Sequence, residues 1–351
     1  MINVGVIGYG RAGEAHARCY DTMPQTRIVA ILDPTPTRRD AARARFPHAA
    51  VAATLDDIDV NIDLALICTP PTSHEAYTEQ ALMRDAHVFC EKPTFLDPGN
   101  GAKLIALARQ RNRIIYPGHN YVHSPLLQRL RELGAPERIG PLQRIDMRIE
   151  RPTSASGSPD WNPSWRRNPA DSGGGVLVDH GTHCVYLAEW LTGMHVHLVG
   201  CTMGYSTPGV EDHVELVLDM SGKIEAHILL SWRAPHRRNT YSLTGTHGTV
   251  VLNDDTLVDD SPTGRRTWRL AETPGSRHAH DDWLPALADD VLRQVTSAAL
   301  EAELARSALV VAHAITAAYA SAAQGGLPHR LPGTLSPGDT YRVCPGRASA
   351  V

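Results

Sequence analysis

The segment Val6-Ile7-Gly8-Tyr9-Gly10-Arg11-Ala12-Gly13 restricts the fold of this chain more than any other. It is a GxGxxG pattern that follows a short apolar run, Ile2 to Ile7, and opens a helical pattern at Arg11. Spaced glycines alone mark only tight turns. In this context they dictate strand, turn and helix: Gly8 permits the turn, Gly10 lets backbone approach a diphosphate at the helix N-terminus, and Gly13 permits close packing of helix on strand. Tyr9, Arg11 and Ala12 occupy the remaining motif positions and join the glycines as nucleotide-contacting candidates. Asp33 ends the next apolar run, placed to accept hydrogen bonds from a ribose diol and to repel a 2′-phosphate. The expected cofactor is NAD, with NADP as the alternative. Arg38 and Arg39 read as solvated arginines at a helix start.

The alternation continues to about Tyr116. Apolar runs at Arg27 to Leu32, Leu64 to Cys68, His87 to Cys90 and Ile114 to Tyr116 are separated by helical patterns at Thr37 to Phe46, Ser73 to Asp85 and Pro98 to Gln110. Strands spaced by helices of that length form a doubly wound parallel sheet, so residues 1–118 are expected to be a Rossmann domain. Beyond Gly118 the rhythm becomes period two. In Leu142 to Glu150 the residues Ile145, Met147 and Ile149 face one way while Arg144, Asp146, Arg148 and Glu150 face the other. Similar runs at His195 to Met203, Val214 to Asp219, Lys223 to Trp232 and Tyr241 to Leu252 predict an open, largely antiparallel sheet. A helix over Val176 to Leu191 and Ala-rich helices from Asp281 to Gln324 make residues 119–333 an α+β domain. Residues 334–351 read as a tail.

Composition narrows the partner. The 351 residues are 42% hydrophobic and 21% charged, which suits a globular chain, and no apolar stretch reaches bilayer length. A net charge of −4, with no basic block interleaved with aromatics, argues against nucleic acid and for a small-molecule partner. Six cysteines without a CxxC pair, and no signal peptide ahead of the first strand, predict a cytoplasmic protein. Only Lys92, Lys103 and Lys223 are lysines, so arginine is the default cation. Each lysine therefore invites a reason, because lysine releases its proton near neutral pH far more readily than arginine.

Two further motifs end strands of the first domain. Thr69-Pro70-Pro71-Thr72-Ser73-His74 forms a rigid loop, and Cys90-Glu91-Lys92-Pro93 closes the next strand, both at the carboxyl edge where open α/β sheets hold ligands. Further on stand Gly173-Gly174-Gly175 and the pair Asp179 and His183. Together these resemble, in order and spacing, the glucose-fructose oxidoreductase, inositol dehydrogenase and rhizopine-catabolism family (Gfo/Idh/MocA), over residues 2 to about 333. The resemblance implies hydride transfer between a nicotinamide and a secondary alcohol or ketone of a sugar, cyclitol or related polyol. It implies cofactor contacts from Thr69, Pro70, Pro71, His74, Glu91, Lys92 and Pro93, and a homo-oligomer, dimer or tetramer. It also implies that Lys92 is the catalytic lysine, with Asp179 and His183 the polar pair beside the substrate carbon, and that the Lys92-Pro93 bond is cis.

Residue chemistry agrees. Positions i and i+4 share a helix face, and imidazole is suited to take a hydroxyl proton because its pKa lies near neutrality. Lys92 would stabilise developing alkoxide charge, while Asp179 orients His183 or holds a neighbouring hydroxyl. The triple glycine lets substrate or backbone approach closely. A metal held by Asp179, His180 and His183 lacks a third ligand on one face, so none is expected. The sequence departs from the family where Tyr186 stands in place of a common aspartate, and at Asn120, Tyr121 and His123, which are read as substrate contacts. In the loop from Arg151 to Ser172, Trp161, Trp165 and Arg166 are candidates to stack on and clamp a sugar, or else pin a surface excursion. The active site is expected between the two domains. Rival readings are transient use of NAD for glycoside cleavage or elimination, and a non-catalytic regulator that binds dinucleotide and sugar.

Overall fold

The computed structural model describes residues 1–269, 279–297 and 304–332. The expected tail, 334–351, and the middle of the region from Asp281 to Gln324 lie outside the described residues. Six parallel strands form the first sheet: β1 (Ile2–Ile7), β2 (Thr26–Leu32), β3 (Ala50–Ala52), β4 (Leu64–Ile67), β5 (His87–Cys90) and β6 (Ile115–Pro117), in the order β3-β2-β1-β4-β5-β6. Helices α1 (Arg11–Asp21), α2 (Pro36–Arg45), α3 (His74–Met83) and α4 (Pro98–Gln110) connect them. Every residue of β4 is buried, as expected of a strand covered on both faces. Helix α1 buries Gly13, His16, Ala17 and Tyr20, a stripe at helical spacing, and Asp97 caps α4 by accepting from the Asn100 N–H at 2.7 Å. Strand β3 escaped the sequence reading because three residues, two of them alanine, carry no periodicity.

The second sheet contains β7 (Leu142–Glu150), β8 (Val196–Gly204), β9 (His213–Met220), β10 (Ile224–Ser231), β11 (Arg238–Gly245), β12 (Thr249–Asn253), β13 (Thr256–Ser261), β14 (Gly264–Arg269) and β15 (His329–Arg330). Their order is β14-β13-β12-β11-β7-β10-β9-β8-β15, antiparallel throughout except for β7 beside β10. The alternation in β7 is as expected, with Ile145, Met147 and Ile149 buried and Arg144 and Arg148 exposed. Tyr241 to Leu252 divides into β11 and β12 at a tight turn, where the Gly245 N–H donates to the Gly248 carbonyl at 2.9 Å. Strands β13 and β14 are additions, hidden by Asp259, Asp260, Arg265 and Arg266. Helix α5 (Pro125–Leu133), which buries Leu126, Leu127, Leu130 and Leu133, is another.

The helix expected over Val176 to Leu191 begins instead as a π-helix, Leu177–Gly181, and continues as α6 (Thr182–Thr192). Helices α7 (Ala279–Thr296) and α8 (Leu304–Ala323) follow. Among the described residues no helix is long and apolar enough to cross a membrane. The chain forms two compact units. Among the described residues the first comprises 1–119, 155–173, 284–297 and 304–312, and the second 120–154, 174–269, 279–283 and 313–332.

Candidate active site

In the first unit β1 lies between β2 and β4, and the chain leaves β1 and β4 toward opposite halves of the sheet, which opens a crevice at their carboxyl ends. Gly8 follows β1 with φ +90°, and a Cβ there would stand 2.9 Å from Thr69 Cγ2, so the glycine turn and the Thr69 loop touch. A Cβ on Gly13 would lie 1.9 Å from the Gly8 carbonyl oxygen, which leaves no room for a side chain. Gly10 differs. Its Cβ would meet only the Arg38 guanidinium, at 3.4 Å, and no side chain caps the helix that starts there. An open backbone position at the N-terminus of an eleven-residue helix fits a diphosphate.

Asp33 lies directly after β2 and is only 2% exposed. Its Oδ2 accepts from the Tyr9 N–H and its Oδ1 from the Thr35 N–H, each at 2.8 Å. The arginines are not solvated, contrary to expectation. Arg38 Nη1 stands 3.6 Å from Asp33 Oδ2, while its Nε and Nη2 donate to the two carboxylate oxygens of Asp160, each at 3.0 Å. Arg39 donates to the carbonyls of Asp33 and Pro34. Arg38 finds its partner in a carboxylate 122 positions away and Arg39 in the carbonyls at the strand end, which a run of two arginines in a sequence does not disclose.

The other two motifs meet through His74. Its Nδ1 is 2.8 Å from the Pro93 carbonyl and its Nε2 is 2.7 Å from the Thr69 carbonyl. Burial pulls its pKa below the ordinary imidazole value against those two carbonyls. The Lys92-Pro93 bond is cis, and Lys92 is half-buried. Beside it Glu91 accepts from the Lys92 N–H at 3.2 Å and pairs with His16 Nε2 at 3.1 Å. Burial alone would raise the Glu91 pKa, but His16 and Lys92 together hold it below the usual range. His16 was not anticipated. Its signal was a histidine three residues after Gly13, on the buried stripe of α1.

In the second unit Asp179 falls inside the π-helix and His183 in the α-helix that continues it. Glu211 anchors this turn by accepting from the N–H groups of Gly175 and Leu177, each at 2.9 Å. A Cβ on Gly175 would lie 2.0 Å from the Glu211 carbonyl oxygen, so at Gly175 it is backbone that approaches. Burial is the largest influence on Glu211 and raises its pKa. His183 is 8% exposed, not a solvated helix residue, and its Nδ1 stands 2.7 Å from the Tyr186 hydroxyl. The same hydroxyl accepts from the Tyr121 N–H at 3.3 Å, and the Tyr121 ring lies over His183 with centroids 4.3 Å apart. Burial pushes the Tyr121 pKa up to about 12 and that of Tyr186 well up, so both rings stay neutral at any working pH.

Asn120 and His123 share the short turn Asn120–His123 with Tyr121. Trp161, Trp165 and Arg166 belong instead to the first unit, on the segment that carries Asp160. The two indole rings are 6.5 Å apart, and the Arg166 guanidinium covers Trp165 at 4.3 Å. Among the described residues no group of three or more His, Cys, Asp or Glu is placed to hold a metal ion.

Residues 2–119 match the family described as an oxidoreductase family with an NAD-binding Rossmann fold, and residues 127–251 match the GFO/IDH/MocA C-terminal domain. The chain belongs to the Gfo/Idh/MocA oxidoreductases. Among members with assigned activities, dTDP-3,4-didehydro-2,6-dideoxy-alpha-D-glucose 3-reductase of Saccharopolyspora spinosa is 26% identical, over 72% of this chain and 74% of its own. Inositol 2-dehydrogenase of Rhizobium meliloti is 24% identical, over 73% and 77%. The crystal structure of GenD2 from gentamicin A biosynthesis, in complex with NAD, superposes with a TM-score of 0.81 at 23% identity, over 95% of this chain and 97% of that one. In a Gfo/Idh/MocA chain the glycine cradle, Asp33 and the His74-linked loops are therefore features of an NAD-binding domain.

Proposed function

We propose that this oxidoreductase moves a hydride between NAD(H) and a secondary alcohol or ketone of a sugar, cyclitol or sugar derivative. The observation that carries the reading is His183, a buried imidazole fixed by the Tyr186 hydroxyl at Nδ1 and covered by the Tyr121 ring. Bound nicotinamide supplies the hydride acceptor or donor. In the oxidative direction the carbinol carbon gives up its hydrogen as hydride while His183 takes the hydroxyl proton; in reduction both return. Lys92 donates a hydrogen bond to the same oxygen and steadies its negative charge. Asp179 holds a neighbouring hydroxyl, and Asn120, Tyr121 and His123 shape the substrate end. Gly8, Gly10, Gly13 and Asp33 hold the diphosphate and the ribose.

The names of the relatives, which act on inositol and on nucleotide-linked deoxysugars, support a polyol or sugar substrate. A cytoplasmic homo-oligomer is part of the same reading, with the polar face of β7 (Arg144, Asp146, Arg148) as the surface available to a second copy. A panel of inositols, hexoses, uronates and nucleotide sugars with NAD and NADP, followed at the NADH absorbance band, tests the chemistry. At least one cyclitol or sugar is expected to turn over with net NADH formation. Binding without turnover across the panel counts against it. Light scattering that gives a 38 kDa particle at every working concentration counts against the oligomer.

A further inference from the structure

The guanidinium of Arg38 sits between two carboxylates beside Gly10. Asp33 is on one side at 3.6 Å, and Asp160, from a segment more than a hundred residues later, grips it with two 3.0 Å bonds on the other. The Arg38 side chain is only 13% exposed. A planar guanidinium is the side chain best matched to a phosphate, which it holds through the same two-pronged geometry that Asp160 occupies here. We propose that Asp160 is a cofactor-selectivity residue: it saturates Arg38 and so denies a 2′-phosphate its natural partner at the ribose carboxylate.

Three charges decide the site. With Asp33 and Asp160 ionised and Arg38 cationic, the trio carries a net negative charge, and a 2′-phosphate entering it faces two carboxylates and an arginine already engaged. NAD brings only hydroxyls and needs no free cation. Without Asp160 the trio is neutral and the fork of Arg38 is open to phosphate. Arg39 is turned toward the strand end, where its Nη1 donates to the backbone carbonyls of Asp33 and Pro34. The segment that delivers Asp160 has a second attachment in the same unit, since Thr72 Oγ1 lies 3.0 Å from the Ala170 carbonyl and 3.1 Å from that of Asp171. Loss of the Asp160 bond therefore frees Arg38 without releasing the whole segment.

The inference rests on Asp33 as the ribose-facing carboxylate, and the test separates the two. Calorimetry on the full chain would compare 5′-ADP with 2′,5′-ADP in the wild type, Asp160→Asn and Asp160→Ser, with thermal melts confirming that the variants fold. Both variants are expected to bind 2′,5′-ADP at least about tenfold more tightly than the wild type while 5′-ADP affinity stays within about twofold. Adding Arg38→Ala to Asp160→Asn should abolish the gain. No gain for 2′,5′-ADP, or an equal change for both nucleotides, overturns the role of Asp160. Asp33→Asn is expected to weaken 5′-ADP; if it does not, the ribose placement fails, and the inference with it.

Discussion

The Tyr186 hydroxyl stands 2.7 Å from His183 Nδ1, at the position where a carboxylate is common in the family. A carboxylate can only accept and so fixes a proton on Nδ1, whereas a phenol can accept from that nitrogen or donate to it, and it gives no negative charge to an imidazolium. In the proposed oxidation, a proton taken by His183 would therefore be held without a counter-ion from this partner. Tyr186→Phe is expected to lower kcat about tenfold and leave NAD affinity unchanged, with a stability loss of about 1–3 kcal/mol for the two hydrogen bonds deleted, to His183 and from the Tyr121 N–H. Steady-state kinetics across pH beside calorimetric NAD binding checks this. An unchanged kcat and pH profile would confine Tyr186 to packing.

Lys92 is the sharper test of the chemistry. Lys92→Arg keeps the charge but replaces a compact ammonium with a planar group that stays protonated at working pH. Turnover should fall about a hundredfold, as for loss of a donor to a developing oxyanion. NAD affinity should change far less, because the proposed diphosphate and ribose contacts are at Gly10 and Asp33. Stopped-flow turnover near the wild-type rate would remove Lys92 from the catalytic set.

How much of this was legible in the sequence depends on range. The glycine turn, the strand ends and the Glu91-Lys92-Pro93 loop depend on neighbours in the chain, and the structure places them where the motifs point. His183 and Asp179 were legible as residues but not in their setting: the start of the π-helix is held by Glu211, more than thirty positions away, which no local pattern connects to Gly175 and Leu177. The partnership of Arg38 with Asp160 spans 122 positions and was invisible for the same reason. Strands β13 and β14 were masked by their charges, since Asp259 is fully buried and bridged by Arg138 rather than exposed as its type implies.

Acid should loosen the first unit before it protonates most carboxylates. Burial lowers the pKa of His119 to about 3, and burial with Arg113 lowers that of His87 to about 4. The unfolded chain binds those protons near pH 6.5, where the folded chain refuses them. Stability is thus fully present above about pH 6.5 and declines as pH falls toward 4, by up to about 1.4 kcal/mol per pH unit for buried His119 and by less for His87, whose charge solvent partly screens. Denaturant titrations between pH 7 and 5 measure the slope. His119→Gln should flatten it by about one proton's worth; an unaltered slope would show that His119 is protonated in the folded protein.

His74 links the Thr69 and Pro93 loops, and its removal should be felt at both. A neutral ring donates to only one of the two carbonyls that face its nitrogens at 2.7 and 2.8 Å, and burial, the largest influence on its pKa, favours that neutral form. His74→Ala leaves a cavity under two loops and deprives one buried carbonyl of its donor, at a cost of about 2–4 kcal/mol in stability. The loss should not remain local, because the Thr69 loop also bears on Gly8 and the Pro93 loop carries Lys92. NAD affinity and kcat are therefore expected to fall together, unlike in Lys92→Arg, where only turnover suffers. Hydrogen exchange should show faster exchange in both loops and an unchanged second unit. Exchange that quickens in only one loop would mean that the ring secures that loop alone.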